Sequence, residues 1–129
     1  MKQEQNTRFE CGSLLVSRVA NIPAVVLNKS ETTQGTSLTT GVSVSTNAGF
    51  IYTFTTGTLA TLGNVSFQVS APFVSANSLV NVGINNHGGN GVPQVSVNNV
   101  TQGNFSIRVR NLDATNALTG SLKLTYNVQ

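Results

Sequence analysis

The sequence predicts an all-β domain: a two-sheet antiparallel β-sandwich, jelly-roll-like, behind a short N-terminal arm. Three observations predict it. From Ser13 onward apolar and polar residues alternate with a period of two, which gives each strand one apolar face. Turn residues (Gly, Asn, Pro) break the alternation roughly every 8 to 12 residues. No long segment carries the apolar period of about 3.6 residues that a helix requires. A one-sided apolar strand cannot keep that face in water, and two sheets stacked about 10 Å apart bury both inner faces. A jelly roll is preferred over an immunoglobulin-like sandwich. With no Trp and one Cys, the Cys…Trp…Cys pattern is absent, which argues only against that one subfamily.

The elements follow in order. Residues 1–12 hold Lys2, Glu4, Arg8 and Glu10 and read as an attachment arm, docking on a neighbouring copy or a larger scaffold, or else as a frayed terminus. Residues 13–129 form the single sandwich domain. Residues 14–19 are a first strand, ended by Asn21 and Pro23, and residues 24–27 a second, short one. Residues 29–35 are polar and turn-like, a loop running over the outside. Residues 38–45 are a strand with Val42 and Val44 on one side. A tight turn at residues 47–49 leads into residues 50–56, the most aromatic strand. Its Phe50, Tyr52 and Phe54 share one face, and Ile51, Thr53 and Thr55 the other. We expect the aromatics in the core and Ile51 outside; the alternative is an inter-subunit patch, with Tyr52 as a contact. Residues 58–63 form a helical turn or a loop.

The second half is more regular. Val65, Phe67 and Val69 alternate with polar residues, as do Val80, Val82 and Ile84, then Val95 and Val97, then Phe105, Ile107 and Val109, and finally Leu122, Leu124, Tyr126 and Val128. The expected core is therefore Phe67, Val82, Ile84, Val97, Phe105, Ile107, Leu124 and Tyr126. Residues 115–119 read as one helical turn over the sandwich end, closed by Gly120.

Charge narrows the function. Only 9% of the residues are charged, and the net charge is +3. The exposed faces are thus covered by hydroxyls and amides, which gives little repulsion between copies and permits close subunit packing. The basic residues are scattered, whereas binding many phosphates needs a clustered patch, so no nucleic-acid partner is expected. No apolar run approaches the roughly 20 residues of a membrane helix, and none resembles a signal peptide, so synthesis in a cytoplasm without membrane insertion is expected. Cys11 has no cysteine partner, so no internal disulfide forms. Asn28, Asn64, Asn99 and Asn104 head Asn-x-Ser/Thr triplets, as chance produces in so Asn-, Ser- and Thr-rich a chain.

The chemistry-bearing residues are sparse. His87 is the only histidine and lacks flanking Cys, Asp or Glu, so no zinc site is expected. The four acids supply no evident catalytic pair, since Glu4 and Glu10 lie in the arm, Glu31 in a polar stretch and Asp113 in a turn. A triad of Cys11, His87 and Asp113 has no nucleophile motif behind it. Gly88-Gly89-Asn90-Gly91 lacks the Lys-Ser/Thr ending of a phosphate loop and reads as a wide turn. No catalytic residue, metal or cofactor is expected. The candidate contact loop is His87, Gly88, Gly89, Asn90 and Gly91. Arg108 and Arg110, on the polar face of their strand, are candidate subunit or ligand contacts.

Several stretches carry a resemblance: residues 36–42 (TSLTTGV), 65–69 (VSFQV), 91–97 (GVPQVSV), 103–111 (GNFSIRVRN) and 117–124 (ALTGSLKL). Together they resemble a β-domain at the ends of tail-fibre and other virion surface proteins of tailed phages and large algal viruses. The resemblance spans roughly residues 36–129 and implies a non-enzymatic virion component, such as a capsid decoration, a spike or a fibre knob. In those relatives the domain ends a long chain, whereas here it is almost the whole sequence, which favours a protein attached to a shell. The partners expected are further copies, with a trimer favoured, and capsid or tail proteins. The alternative function is a host-receptor or carbohydrate-binding module with a surface glycan as ligand.

Overall fold

The computed structural model describes residues 29–129, and within them the chain forms two four-stranded sheets that face each other without closing into a barrel. The strands are β1 (Lys29–Thr33), β2 (Val42–Ser43), β3 (Ala48–Tyr52), β4 (Asn64–Ser70), β5 (Val80–His87), β6 (Pro93–Thr101), β7 (Asn104–Asn111) and β8 (Leu122–Val128). One sheet runs β1-β3-β8-β5 and the other β2-β4-β7-β6. Pairing is antiparallel except at one edge of each sheet, where β1 lies parallel to β3 and β2 parallel to β4. The arm, the strands expected over residues 14–19 and 24–27, and Cys11 lie outside the described residues.

Central strands carry the core because they are covered on both flanks. Along β7, Phe105, Ile107 and Val109 are buried while Arg108 and Arg110 are exposed. Along β8, Leu122, Leu124, Tyr126 and Val128 are buried. Phe67 and Val69 of β4 and Ile51 of β3 complete the interior, with Val42, Val44, Val74, Leu59 and Leu118 closing its ends. Each such side chain contributes about 1.5–3 kcal/mol by leaving water.

Four expectations are corrected. Residues 29–35 are not a loop, since Lys29–Thr33 is strand β1. Ile51 is fully buried, while Phe50, Tyr52 and Phe54 are only half-buried, because Ile51 pairs with the inward Leu124 and Phe50 with the outward Thr125. Ile84 and Val97 do not join the core: Ile84 is exposed and Val97 half-buried, on the inward sides of β5 and β6, which have no outer neighbour among the described residues. Val82, one turn of the pleat earlier on β5, packs partly against the core. Residues 115–119 form no helix, and a turn held by Asp113 precedes an isolated bridge between Leu118 and Leu59.

Among the described residues, β5 and β6 each stand at one edge of a sheet, and both bulge. The β5–β8 register shifts between Ile84 and Asn86, and the β6–β7 register between Val97 and Asn99. Neither β5 nor β6 carries a formal charge. Bulges are one of the devices that keep exposed edges from pairing indiscriminately, and here they stand in place of charged side chains.

Candidate functional site

Three surfaces hold the residues singled out from the sequence. The first is the sandwich end at His87. This residue is the last of β5 and half-buried, and its Nε2 lies 2.9 Å from the Thr119 carbonyl oxygen, so the ring N–H donates there. The following glycines run against residues 118–120. A Cβ on Gly89 would collide with the Thr119 carbonyl, and Gly91 has a φ of 88° with its Cβ position 2.7 Å from Leu118 Cα. Asn90 exchanges bonds with Thr119: its amide donates to the Thr119 hydroxyl (3.0 Å) and its carbonyl accepts from the Thr119 amide (3.1 Å). Residues 87–91 are therefore a braced corner, with Gly88 and Asn90 exposed at its tip.

Asn111 organises the same end. Its buried amide nitrogen donates to the carbonyls of Asn116 (2.9 Å), Ala60 (3.2 Å) and Leu59 (3.4 Å). Its Oδ1 accepts from the amides of Asp113 (3.0 Å) and Val92 (3.2 Å). One side chain thus ties three loops, as a buried amide must when its lone pairs and protons are cut off from water. Asp113 caps the adjacent turn, accepting from Thr115 and Asn116 backbone and side-chain donors. The Thr115 and Asn116 amides, followed by their side chains, hold its carboxyl well below the usual range.

The second surface is the outer face of the β2-β4-β7-β6 sheet. Arg108 stands between Ser66 and Ser96, and Arg110 between Asn64 and Gln94. All six are exposed, and the two guanidinium groups rise from a field of hydroxyls and amides.

The third surface is the outer face of the β1-β3-β8-β5 sheet. Its cross-strand rows are Lys29, Ala48, Asn127 and Asn81; Glu31, Phe50, Thr125 and Gly83; and Thr33, Tyr52, Lys123 and Asn86. The Lys123 Nζ sits 4.2 Å from the Phe50 ring centroid and 5.7 Å from that of Tyr52; the Lys29 Nζ sits 5.5 Å from Phe50. Small residues in the middle rows leave a shallow groove of about 380 Å³, lined among others by Lys29, Phe50, Asn81, Gly83, Thr125 and Asn127.

Of the residues picked from the sequence, Tyr52 belongs to this face, Arg108 and Arg110 to the opposite one, and His87 to Gly91 to an end. The structure does not bring these three groups together, and Lys2, Glu4, Arg8 and Glu10 lie outside the described residues. Sequence reasoning missed Phe50, Lys29, Lys123, Asn81 and Asn127 as a group. The available signal was that Lys123 and Asn127 fall on the polar phase of an otherwise clear strand, the same phase that Phe50 adopts.

Among the described residues, no three His, Cys, Asp or Glu side chains cluster as metal ligands, and no helix is long and apolar enough to cross a membrane. Fold and surfaces together define an all-β, two-layer sandwich whose described exterior carries few charges. Comparison with protein-family models, with curated proteins and with solved structures returned no match.

Proposed function

We propose that this chain is a non-enzymatic structural protein of a virus particle, a capsid-attached decoration, spike or fibre-knob component that assembles as a symmetric oligomer. The observation that carries the reading is the neutral exterior on a rigid two-layer frame. Between residues 29 and 129 the only charged side chains are Lys29, Glu31, Arg108, Arg110, Asp113 and Lys123. Flat faces of Ser, Asn and Gln let copies approach without like-charge repulsion and satisfy one another by hydrogen bonds. The sandwich itself reads as jelly-roll-like. The chain changes sheet at every connection except the β6–β7 hairpin, and the last two strands each insert between earlier ones. Three-fold symmetry is the arrangement we expect, since spikes and knobs are commonly trimers. Such a protein is made in the host cytoplasm and ends in the virion, bound to capsid or tail proteins. Quantitative mass spectrometry of purified particles tests this: a fixed copy number in a multiple of three supports it, and absence from particles overturns it.

A second reading is a host-receptor or carbohydrate-binding module. The groove on the β1-β3-β8-β5 face favours it, because amides, a hydroxyl and a half-exposed aromatic ring line one shallow surface.

A further inference from the structure

We propose that the groove on the outer face of the β1-β3-β8-β5 sheet binds an acidic saccharide, with Lys29 and Lys123 receiving its anionic group and Asn81, Asn127 and Thr125 its hydroxyls. The inference rests on the carbohydrate-binding reading above and specifies the ligand.

The Phe50 ring is the hub. Two ammonium groups lie over it, at 4.2 Å for Lys123 and 5.5 Å for Lys29, although the two lysines come from strands on opposite sides of β3. A cation held against an aromatic face is restrained by the ring quadrupole, yet it keeps N–H donors free to point outward. The ring therefore holds beside it two charges that would otherwise wander on flexible stems. Among the described residues one acidic side chain, Glu31, belongs to the same face, and the other, Asp113, is committed to its own turn. Among the described residues, two cations against one acid leave the surroundings of Phe50 positive, complementary to a carboxylate or sulfate ester.

The floor argues for a sugar over a bare anion. Ala48 and Gly83 withdraw from the surface, so a ring-sized body can settle against the sheet between Phe50 and the two asparagines. Asn amides present both a donor and an acceptor, the combination that vicinal hydroxyls match. Phe50, half-buried, leaves part of its ring for the apolar C–H patch of a pyranose.

The test uses the full chain and NMR or calorimetric titration with a sulfated oligosaccharide, a carboxylated one, their uncharged parent, and sodium sulfate at matched ionic strength. The expected result is that one or both acidic sugars bind at least about tenfold tighter than the parent, a difference of about 1.4 kcal/mol. The advantage should shrink as salt rises and disappear in a Lys29→Gln/Lys123→Gln variant, with unfolding midpoint unchanged. Arg108→Gln/Arg110→Gln should leave binding as it is. Equal affinity for acidic and neutral sugars overturns the acidic assignment and leaves the binding module standing. Binding of sodium sulfate as tight as the sugars overturns the saccharide, and loss of binding only in the Arg variant overturns the site. Failure of every sugar to bind overturns the carbohydrate reading itself.

Discussion

The rings of Phe105 and Tyr126 meet across the interior, their centroids 6.4 Å apart and their planes inclined by 44°. Phe105 belongs to β7 and Tyr126 to β8, so this contact joins the central strands of the two sheets. Phe105 is wholly enclosed, and the Tyr126 hydroxyl donates to the Thr46 carbonyl at 3.1 Å. Phe105→Ala should cost about 3–5 kcal/mol in denaturant unfolding, since it leaves a cavity between layers that cannot collapse. Tyr126→Phe should cost only about 1 kcal/mol, the net worth of one hydrogen bond.

Asn111 should be as sensitive as a core hydrophobe. Asn111→Ala strands five partners at the sandwich end, and a loss of about 2–3 kcal/mol is expected from chemical denaturation. Asn111→Asp keeps the shape but, once ionised, turns three donor contacts into carboxylate facing carbonyl. Its deficit should therefore be larger at pH 7 than at pH 3.

Gly91→Ala tests the braced corner. A φ of 88° and a Cβ position 2.7 Å from Leu118 Cα make the substitution both strained and crowded. We expect a loss of about 1–3 kcal/mol, with amide exchange quickening first around residues 87–91 and 118–120.

Asp113 should make the fold acid-sensitive. Its folded pKa is depressed below the ordinary 3.8, so the folded state favours the carboxylate. That contribution is complete above the ordinary value and fades as pH falls below it toward the folded one. Thermal midpoints of the parent should drop on acidification through this window, and Asp113→Asn should flatten that part of the profile.

How far the fold was legible in the sequence depended on how one-sided each strand is. Strands β7 and β8 alternate cleanly between bulky apolar and polar residues, so their inward phase could be read directly. Strand β3 could not be phased that way, because Phe50 and Tyr52 compete with Ile51 and only the pairing of Ile51 with Leu124 decides between them. A one-residue shift of register exchanges the two faces, and the partner that fixes it here, Leu124, lies far along the chain. Strand β1 was invisible for a different reason. Its Lys-Ser-Glu-Thr-Thr has no apolar phase, and what holds it is the parallel ladder to β3 with hydroxyl contacts from Ser30 to Thr46 and Ser45. Ile84 and Val97 alternate correctly, yet both lie on edge strands whose inward sides stay partly open. The candidate groove was hidden for the same reason as the phase of β3, since it exists only when Phe50 faces out beside Lys29 and Lys123.

Everything proposed for the surface depends on Phe50 being an outward contact residue and Ile51 the residue that β3 gives to the interior. Denaturant unfolding of Ile51→Ala and Phe50→Ala, measured side by side, tests this most directly. The expected result is a loss of about 2–5 kcal/mol for Ile51→Ala, against about 1 kcal/mol or less for Phe50→Ala. A Phe50→Ala deficit equal to or larger than that of Ile51→Ala would place the ring inside and contradict the account.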